Sequence, residues 1–487
     1  MLAAPQRLLT PAEMAAADRA AIAAGTSGYT LMQAAGTAVV HQIQARYARA
    51  PIAILCGPGN NGGDGYVIAS QLAASGWPVT LFAMAPPMTD DAKQASVDFA
   101  GSVHPLANFR AADHALVVDA IFGAGLSRVV EPPLASVFND LKTCETPVVA
   151  VDIPSGVDGA TGAILGAAVK ADLTVTFAAA KPGHYLLPGR TLAGALVVAD
   201  IGIDDATLNR VAAPTFLNTI ELWQAEWRPK QLDQHKYSHG HALILGGPAT
   251  RSGAARLAAM ACQRIGAGLT TLAVPRSAQL VYAAHLTTIM QRPCNDPSDL
   301  AALLTDQRFN ALLIGPAFGT GDPAKDMVRA LLASGRPCVL DADALTSFAD
   351  DRAALMAAAH DRTVLTPHGG EFAQIFCKIT ADSKLEAARA AASLSGAIVL
   401  LKGADTVVAE PGGRAAIAAN PTPRLAQAGT GDVLAGTITG LMARGMPAFA
   451  AACAAVWLNN QAANDAPRSF IAEDLPQMVA DAAWELG

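Results

Sequence analysis

Charge is scarce in this chain. Asp, Glu, Lys and Arg together make up 15% of its 487 residues, hydrophobic residues make up 52%, and the net charge is −7. That balance excludes wholesale disorder, which goes with low hydrophobicity and high net charge. Lys and Arg form no run, which argues against a dedicated nucleic-acid surface, so no nucleic-acid partner is expected. The seven cysteines are scattered without a C-x-x-C pair. An odd, unpatterned set speaks against a disulfide framework and a zinc knuckle and suits a reducing cytosol. No Gly-Lys-Ser or Gly-Lys-Thr occurs, which argues against a P-loop kinase. No uninterrupted apolar stretch reaches 18 residues, and residues 1–11 carry no apolar h-region. Neither a membrane span nor a secretory signal is therefore expected, and the location is read as cytoplasmic.

What is present is alternation. A chain of this length exceeds one ordinary core, so at least two domains are expected. Thr10, Pro11 and Glu13 predict a capped helix start, with the helix running to about residue 25 and a second one from about 30 to 46. Apolar runs at 52–55, 79–84, 115–119, 148–152, 173–177 and 196–200 then alternate with helix-length segments. That signals a parallel sheet covered on both faces. Around 215–230 the rhythm breaks at Trp223, Trp227, Pro229 and Gln231, which places a domain boundary at 222/223. Trp223 and Trp227 read as a packed helix face or an interdomain contact. A second alternation follows, with strands at 242–245, 269–274, 311–314, 338–340, 363–365 and 397–401. A small antiparallel pair is expected at 407–409 and 415–418. No internal repeat relates the halves, so the chain reads as a fusion of two α/β domains.

The segment Leu55-Cys-Gly-Pro-Gly-Asn-Asn-Gly-Gly-Asp-Gly-Tyr66 reads as a glycine-dense loop between a strand and a helix over 66–74. Free backbone N–H groups and the helix dipole there favour an anion. Gly57, Gly59 and Gly62 satisfy G-x-G-x-x-G, but the next strand ends in Ala-Pro-Pro and lacks the ribose-binding carboxylate of an ordinary dinucleotide fold. Asn60, Asn61 and Asp64 add groups able to grip a polar ring or a cation. A purely structural turn is the other reading. Asp119 and Asp152 also stand at strand ends, where sites in parallel sheets form.

With 118–126, 151–156 and 176–183, this segment resembles the NAD(P)H-hydrate epimerase family over residues 8–205. The resemblance implies a Rossmann-like three-layer domain that interconverts the R and S hydrates of NADH and NADPH. It implies hydrate contacts from Asn60, Asn61, Gly62, Gly63, Asp64, Gly123, Ala124, Gly125, Leu126, Ser127, Arg128, Val129 and Asp152. Asn61, Asp119 and Ser155 are oxygen donors at strand ends, and the resemblance puts potassium (K+) on them. Asp152 is expected to hydrogen-bond the C6 hydroxyl or relay its proton, with Lys181 as the weaker candidate partner.

In the second half, Gln427-Ala-Gly-Thr-Gly-Asp-Val-Leu-Ala435 leads into a helix starting near Asp432. Amides at such a start suit a transferring phosphoryl group, and Asp432 stands where a carboxylate can take a proton from an attacking hydroxyl. Read alone, Asp432 is equally well a helix-start charge. With Lys402-Gly403, Thr366-Pro-His-Gly-Gly-Glu371, His235 to Gly240 and Asp341-Ala-Asp343, it resembles the ribokinase-like ADP/ATP-dependent NAD(P)H-hydrate dehydratases over residues 230–480. Two departures stand out: Gly315-Pro-Ala-Phe-Gly319 replaces Gly-Pro-Gly-Leu-Gly, and Gly369 stands where Pro is usual. The resemblance implies hydrate contacts from Ala254, Gly319, His368 and Asp432. Nucleotide contacts are implied from Lys402, Gly403, Ala404, Asp405, Thr406 and Gly431, with Mg2+ screening the phosphates and ADP or ATP as co-substrate. His239 and His241 read as structural rather than metal ligands.

Together the halves resemble the bifunctional NAD(P)H-hydrate repair enzymes, and a homo-oligomer is the expected state. The alternative is a vitamin or sugar kinase of ribokinase type fused to a non-catalytic binding or scaffold domain.

Overall fold

The computed structural model describes residues 4–211, 213–229 and 235–486. The chain divides into two compact units, one Arg7–Thr215 and the other made of the residues up to Gln6 together with those from Phe216 onward. Lys230 and Gln231, read as part of the boundary region, lie outside the described residues.

The first unit opens with α1 (Pro11–Ala23) and α2 (Gly28–Arg46). Thr10 and Glu13 form the expected capping box: Glu13 N donates to Thr10 Oγ1 at 3.3 Å, and Thr10 N donates to Glu13 Oε2 at 2.7 Å. Seven parallel strands follow. They are β1 (Ile52–Cys56), β2 (Val79–Ala83), β3 (Val103–Pro105), β4 (Leu116–Ala120), β5 (Val148–Val151), β6 (Leu173–Phe177) and β7 (Ala195–Ala199), in the order β3-β2-β1-β4-β5-β6-β7. The order reverses between β1 and β4, which makes their carboxyl ends the topological switch point. Side chains alternate between two cores, as a strand period of two requires. Ile52, Ile54 and Cys56 pack with α2 and with α3 (Asn60–Ala74), while Ala53 and Leu55 pack with Phe138 and Leu141 on the other face. This is the three-layer α/β sandwich read from the sequence.

Two expectations change here. Asn60 to Asp64 are not loop: α3 begins at Asn60, with Gly59 as N-cap. The reason is backbone packing. A Cβ on Gly62 would stand 1.8 Å from the Gly57 carbonyl oxygen, and one on Gly57 would stand 1.9 Å from that of Ile121. Only glycines let the first turn of α3 lie directly on the turn after β1 and on the segment after β4. The edge strand β3, Val-His-Pro and exposed throughout, lacks the apolar run that would have revealed it.

The second unit holds a ten-stranded sheet. Its strands are β8 (Thr215–Asn218), β9 (His241–Leu245), β10 (Leu269–Val274), β11 (Met290–Pro293), β12 (Phe309–Ile314), β13 (Cys338–Leu340), β14 (Thr363–Leu365), β15 (Ile398–Leu401), β16 (Val407–Ala409) and β17 (Ala415–Ala418). Their order is β11-β10-β9-β12-β13-β14-β15-β16-β17-β8. Strands β9 to β15 pair in parallel and β15 to β17 antiparallel. The sequence revealed neither β8 nor β11. Trp223 and Trp227 flank short 3-10 turns rather than sharing a helix face. Trp223 is buried in this unit's core, 5.8 Å from the Trp227 ring and 5.9 Å from Trp457. His241 is structural, as expected: its ring is buried against Phe309, its Nε2 lies 2.8 Å from Thr271 Oγ1, and burial pushes it down to about 4. Among the described residues no helix is long and apolar enough to cross a membrane.

Candidate active sites

At the switch point of the first sheet lies a cavity of about 590 Å³. The first turns of α3 supply Asn60, Asn61 and Asp64, the segment after β4 supplies Gly123 to Arg128, and Asp152 and Lys181 follow β5 and β6. The residues expected at the hydrate do not all face it. Gly62 packs on the Gly57 backbone and Gly63 on Met32 and Ala92, while Val129 is 65% exposed and borders a separate, smaller apolar cavity. The resemblance placed these three with their neighbours, but helical geometry and the course of the loop turn them away.

Asp152 is the centre of the site. Its φ of 67° is left-handed, a conformation that Asp tolerates better than most residues. Its own contacts hold it there. Asp152 N donates to the Val175 carbonyl at 2.8 Å. Oδ2 accepts from Ala124 N at 2.8 Å, and Oδ1 accepts from Lys181 Nζ at 2.6 Å and from Thr176 Oγ1 at 3.0 Å. Burial pushes this carboxyl up, but the Lys181 ammonium outweighs it and holds the group at about 2. Lys181 is therefore the partner of Asp152 within the fold. His184, which no spacing argument revealed, completes the arrangement. Its Nδ1 accepts from Lys181 N at 3.0 Å and its Nε2 meets the Asp152 carbonyl at 2.9 Å. A carbonyl only accepts, so the ring is the neutral Nε2–H tautomer; burial and then Lys181 push it down to about 4.

Of the three expected potassium ligands, Asn61 lines the cavity, with its Nδ2 buried and unpartnered. Asp119 and Ser155 are fully buried and bonded to each other. Ser155 Oγ donates to Asp119 Oδ1 at 2.6 Å and Ser155 N to Oδ2 at 2.8 Å. Burial pushes Asp119 up to about 6, and it forms no ion pair among the described residues.

The second site lies along the carboxyl edge of β9 to β15. Asp341 follows β13 and is buried; its Oδ1 accepts from Lys402 Nζ at 2.8 Å and from Thr366 Oγ1 at 2.7 Å. Lys402 Nζ also lies 3.9 Å from Glu371 Oε2. Asp432 stands in the first turn of the helix Thr430–Ala443. Burial and then the charge of Asp341 push it up to about 7, with Lys402 pulling the other way. Gly431 lies beside the same lysine: a Cβ there would be 3.7 Å from Lys402 Nζ. The structure thus gathers Lys402, Gly431 and Asp432.

The loop from Lys402 to Thr406 is braced by a residue the sequence did not single out. Lys384 Nζ donates to the Lys402 carbonyl at 3.1 Å and to Asp405 Oδ1 at 2.6 Å, and Thr406 Oγ1 donates to the Gly403 carbonyl at 2.6 Å. The remaining expected residues each sit on their own element. Ala254 is in the first turn of the helix Ser252–Arg264. Gly319 N donates to Asp343 Oδ2 at 2.9 Å. His368 caps the helix Gly369–Ile375 through Nδ1, which accepts from Gly370 N at 2.9 Å.

The chain matches two family models: one described as YjeF-related protein N-terminus over residues 28–183, the other as NAD(P)H-hydrate dehydratase over residues 242–484. It is 37% identical to the bifunctional NAD(P)H-hydrate repair enzyme Nnr of Salinibacter ruber, over 98% of this chain and 96% of that protein. It is also 37% identical to the Nnr enzyme of Moorella thermoacetica, over 95% of this chain and 92% of the relative. Among solved structures it is similar to the ADP/ATP-dependent NAD(P)H-hydrate dehydratase of Bacillus subtilis co-crystallised with ATP and Mg2+, at 22% identity and a TM-score of 0.47, covering 56% of this chain and 99% of that one.

Proposed function

The chain belongs to the family of bifunctional NAD(P)H-hydrate repair enzymes, and from that premise we propose how its two sites divide the work. The first unit interconverts the R and S hydrates of NADH and NADPH. The second unit dehydrates the S form at the expense of a nucleotide phosphate. The observation that carries this reading is the convergence of separated motifs on two strand-end sites: Asn61, Gly123 and Asp152 around a cavity at one, and Lys402, Gly431 and Asp432 close together at the other. Incubating the protein with mixed NADH hydrates and ADP or ATP tests it. Absorbance at about 340 nm, the reduced-nicotinamide band, is expected to recover fully, because epimerisation feeds the R form to the dehydratase. Recovery of neither epimer would remove the reading.

In the first site Asp152 contacts the C6 hydroxyl. Held at about 2 by Lys181, it remains an anion and balances the positive charge that develops as the ring passes through an iminium-like state. Asn61, Asp119 and Ser155 are the residues that hold potassium. Their oxygens suit a hard cation, and Asp119 is a buried carboxylate whose hydrogen-bond partners are all neutral. The ion braces the strand-end loops that shape the cavity. Replacing K+ by tetramethylammonium is expected to depress epimerisation while dehydration of pure S hydrate continues; unchanged epimerisation would remove the ion from the site.

In the second site Ala254, Gly319, His368 and Asp432 contact the hydrate, and Lys402, Gly403, Ala404, Asp405, Thr406 and Gly431 hold the nucleotide. Phosphorylating the C6 hydroxyl turns a poor leaving group into a good one, which the ring nitrogen then expels. Among the described residues no group of three or more His, Cys, Asp or Glu is placed to hold a metal ion. Mg2+ would be held chiefly through the nucleotide phosphates, whose charge it would screen. Asp432 is the base. Because burial lifts it to about 7, the ionised fraction rises with pH through neutrality. Dehydration of S hydrate should climb about tenfold per pH unit below that value and level off above it. A rate already flat from pH 5.5 to 8 would mean that Asp432 is not the proton acceptor.

A further inference from the structure

Of the carboxyls that line the first cavity with no hydrogen-bond or ion-pair partner among the described residues, Asp64 is the most buried. Asp64, on α3, is 9% exposed and lines the cavity, yet among the described residues its carboxyl oxygens take part in no hydrogen bond or ion pair. The carboxylates of Asp152 and Asp119, by contrast, are engaged. Asp152 is bonded to Lys181, Thr176 and Ala124, Asp119 is bonded to Ser155, and Asp18 and Asp91 are more exposed than Asp64. A buried, unpartnered carboxyl costs stability unless it stays protonated or a ligand completes it. Asp64 and Asp152 also approach the cavity from opposite sides of β4, one from α3 beside β1 and the other from the turn after β5.

We propose that Asp64 is a second catalytic residue of the first site, the acid that protonates the C6 hydroxyl on one face of the hydrated ring. This rests on reading the first unit as the epimerase. An epimerisation at C6 must remove oxygen from one face and return it to the other, so a group on each side is needed. Asp64 gives its proton to the hydroxyl, and the C6–O bond breaks with its electron pair leaving on oxygen as water. The ring nitrogen lone pair forms the N1=C6 bond. Water then adds to C6 from the opposite face, and the oxonium so formed, a very strong acid, loses its extra proton to Asp152, which releases it to solvent. Solvent restores the proton on Asp64. No redox change occurs and the water count balances.

The electrostatics agree with that role. Burial, then the charges of Asp152 and Asp18, hold the Asp64 carboxyl well above the usual carboxylate range. The charged and titratable groups near it are Asp18 from α1, Asp91 from the helix Asp90–Asp98, the Cys56 thiol from β1, and Asp152 with Lys181; α2 lines the cavity with Gly28, Leu31, Met32 and Ala35. Two carboxyls pushed in opposite directions in one cavity are the arrangement by which one site supplies both an acid and an anion.

The test is the pH dependence of R–S interconversion, followed by chromatographic separation of the epimers. For the wild-type protein kcat/KM should fall as pH rises, because the acid is lost; a profile flat to pH 9 would overturn the assignment without any variant. In Asp64→Asn, kcat should drop about 10²-fold, KM should stay within about threefold, and the alkaline fall should disappear, with Asp64→Glu restoring part of the rate. A raised KM with kcat intact would make Asp64 a binding group and overturn the proposal. If the wild-type protein does not interconvert the epimers at all, the epimerase reading itself fails, which is a different result.

Discussion

Asp432→Asn is expected to slow dehydration of the S hydrate by about 10²- to 10⁴-fold and to leave nucleotide affinity nearly unchanged. Phosphoryl transfer asks the protein mainly for positioning and charge stabilisation. Those tasks fall to the amides at the start of the helix Thr430–Ala443 and to Lys402, all of which the substitution leaves in place. Asn preserves shape and removes only the base. Removing a half-buried carboxyl held near 7 also relieves a desolvation cost, so the variant should be at least as stable as the parent. Stopped-time assays on pure S hydrate with ADP or ATP, beside thermal melts, read both effects. A stable variant with near-normal turnover would leave Asp432 as a helix-start charge and nothing more.

Asp152→Asn is expected to do two things at once. Epimerisation should fall by about 10²-fold or more, the scale of losing an anion aimed at developing positive charge. The first unit should also lose on the order of 3 kcal/mol of stability, because a buried Lys181 ammonium is left facing a neutral amide. Activity alone therefore does not separate chemistry from unfolding. The double variant Asp152→Asn/Lys181→Met does, since removing both charges spares the unpaired ion. Most of the stability should return and the activity should not. Dehydration of pure S hydrate, carried by a unit with its own core, should be normal throughout. Recovery of epimerisation in the double variant would show that Asp152 acts only through the fold.

What the sequence revealed and what it hid follow one physical line. Strands β1, β4 and β5 announced themselves because both faces are buried and the apolar run is unbroken. The edge strands β3 and β11, polar and partly exposed, carry no such run. The residue types at the sites were legible from their motifs, but their directions were not. Asn60 to Asp64 read as loop because Gly and Asn are turn residues, whereas the backbone contact at Gly62 allows a helix there. Gly62, Gly63 and Val129 are neighbours in sequence of cavity-lining residues and not in space. His184 and Lys384 were missed for a related reason. Each holds a main-chain carbonyl or amide near a motif rather than standing in one, and such contacts leave no trace in spacing.

The glycines at the head of α3 bear on how this protein can vary. At Gly57 and Gly62 the obstacle to a side chain is another segment's carbonyl oxygen, which no second substitution can shave away. At Gly36 the obstacle is the side chain of Val67, its Cγ1 2.5 Å from a Cβ placed there. A suppressor screen should therefore sort these positions cleanly. Gly36→Ala should yield intragenic revertants at Val67, changed to Gly, because the Val67 Cβ itself would stand 2.8 Å away. Gly57→Ala and Gly62→Ala should revert only at their own codons, so that the turn holding the first cavity drifts across generations less than the residues that line it.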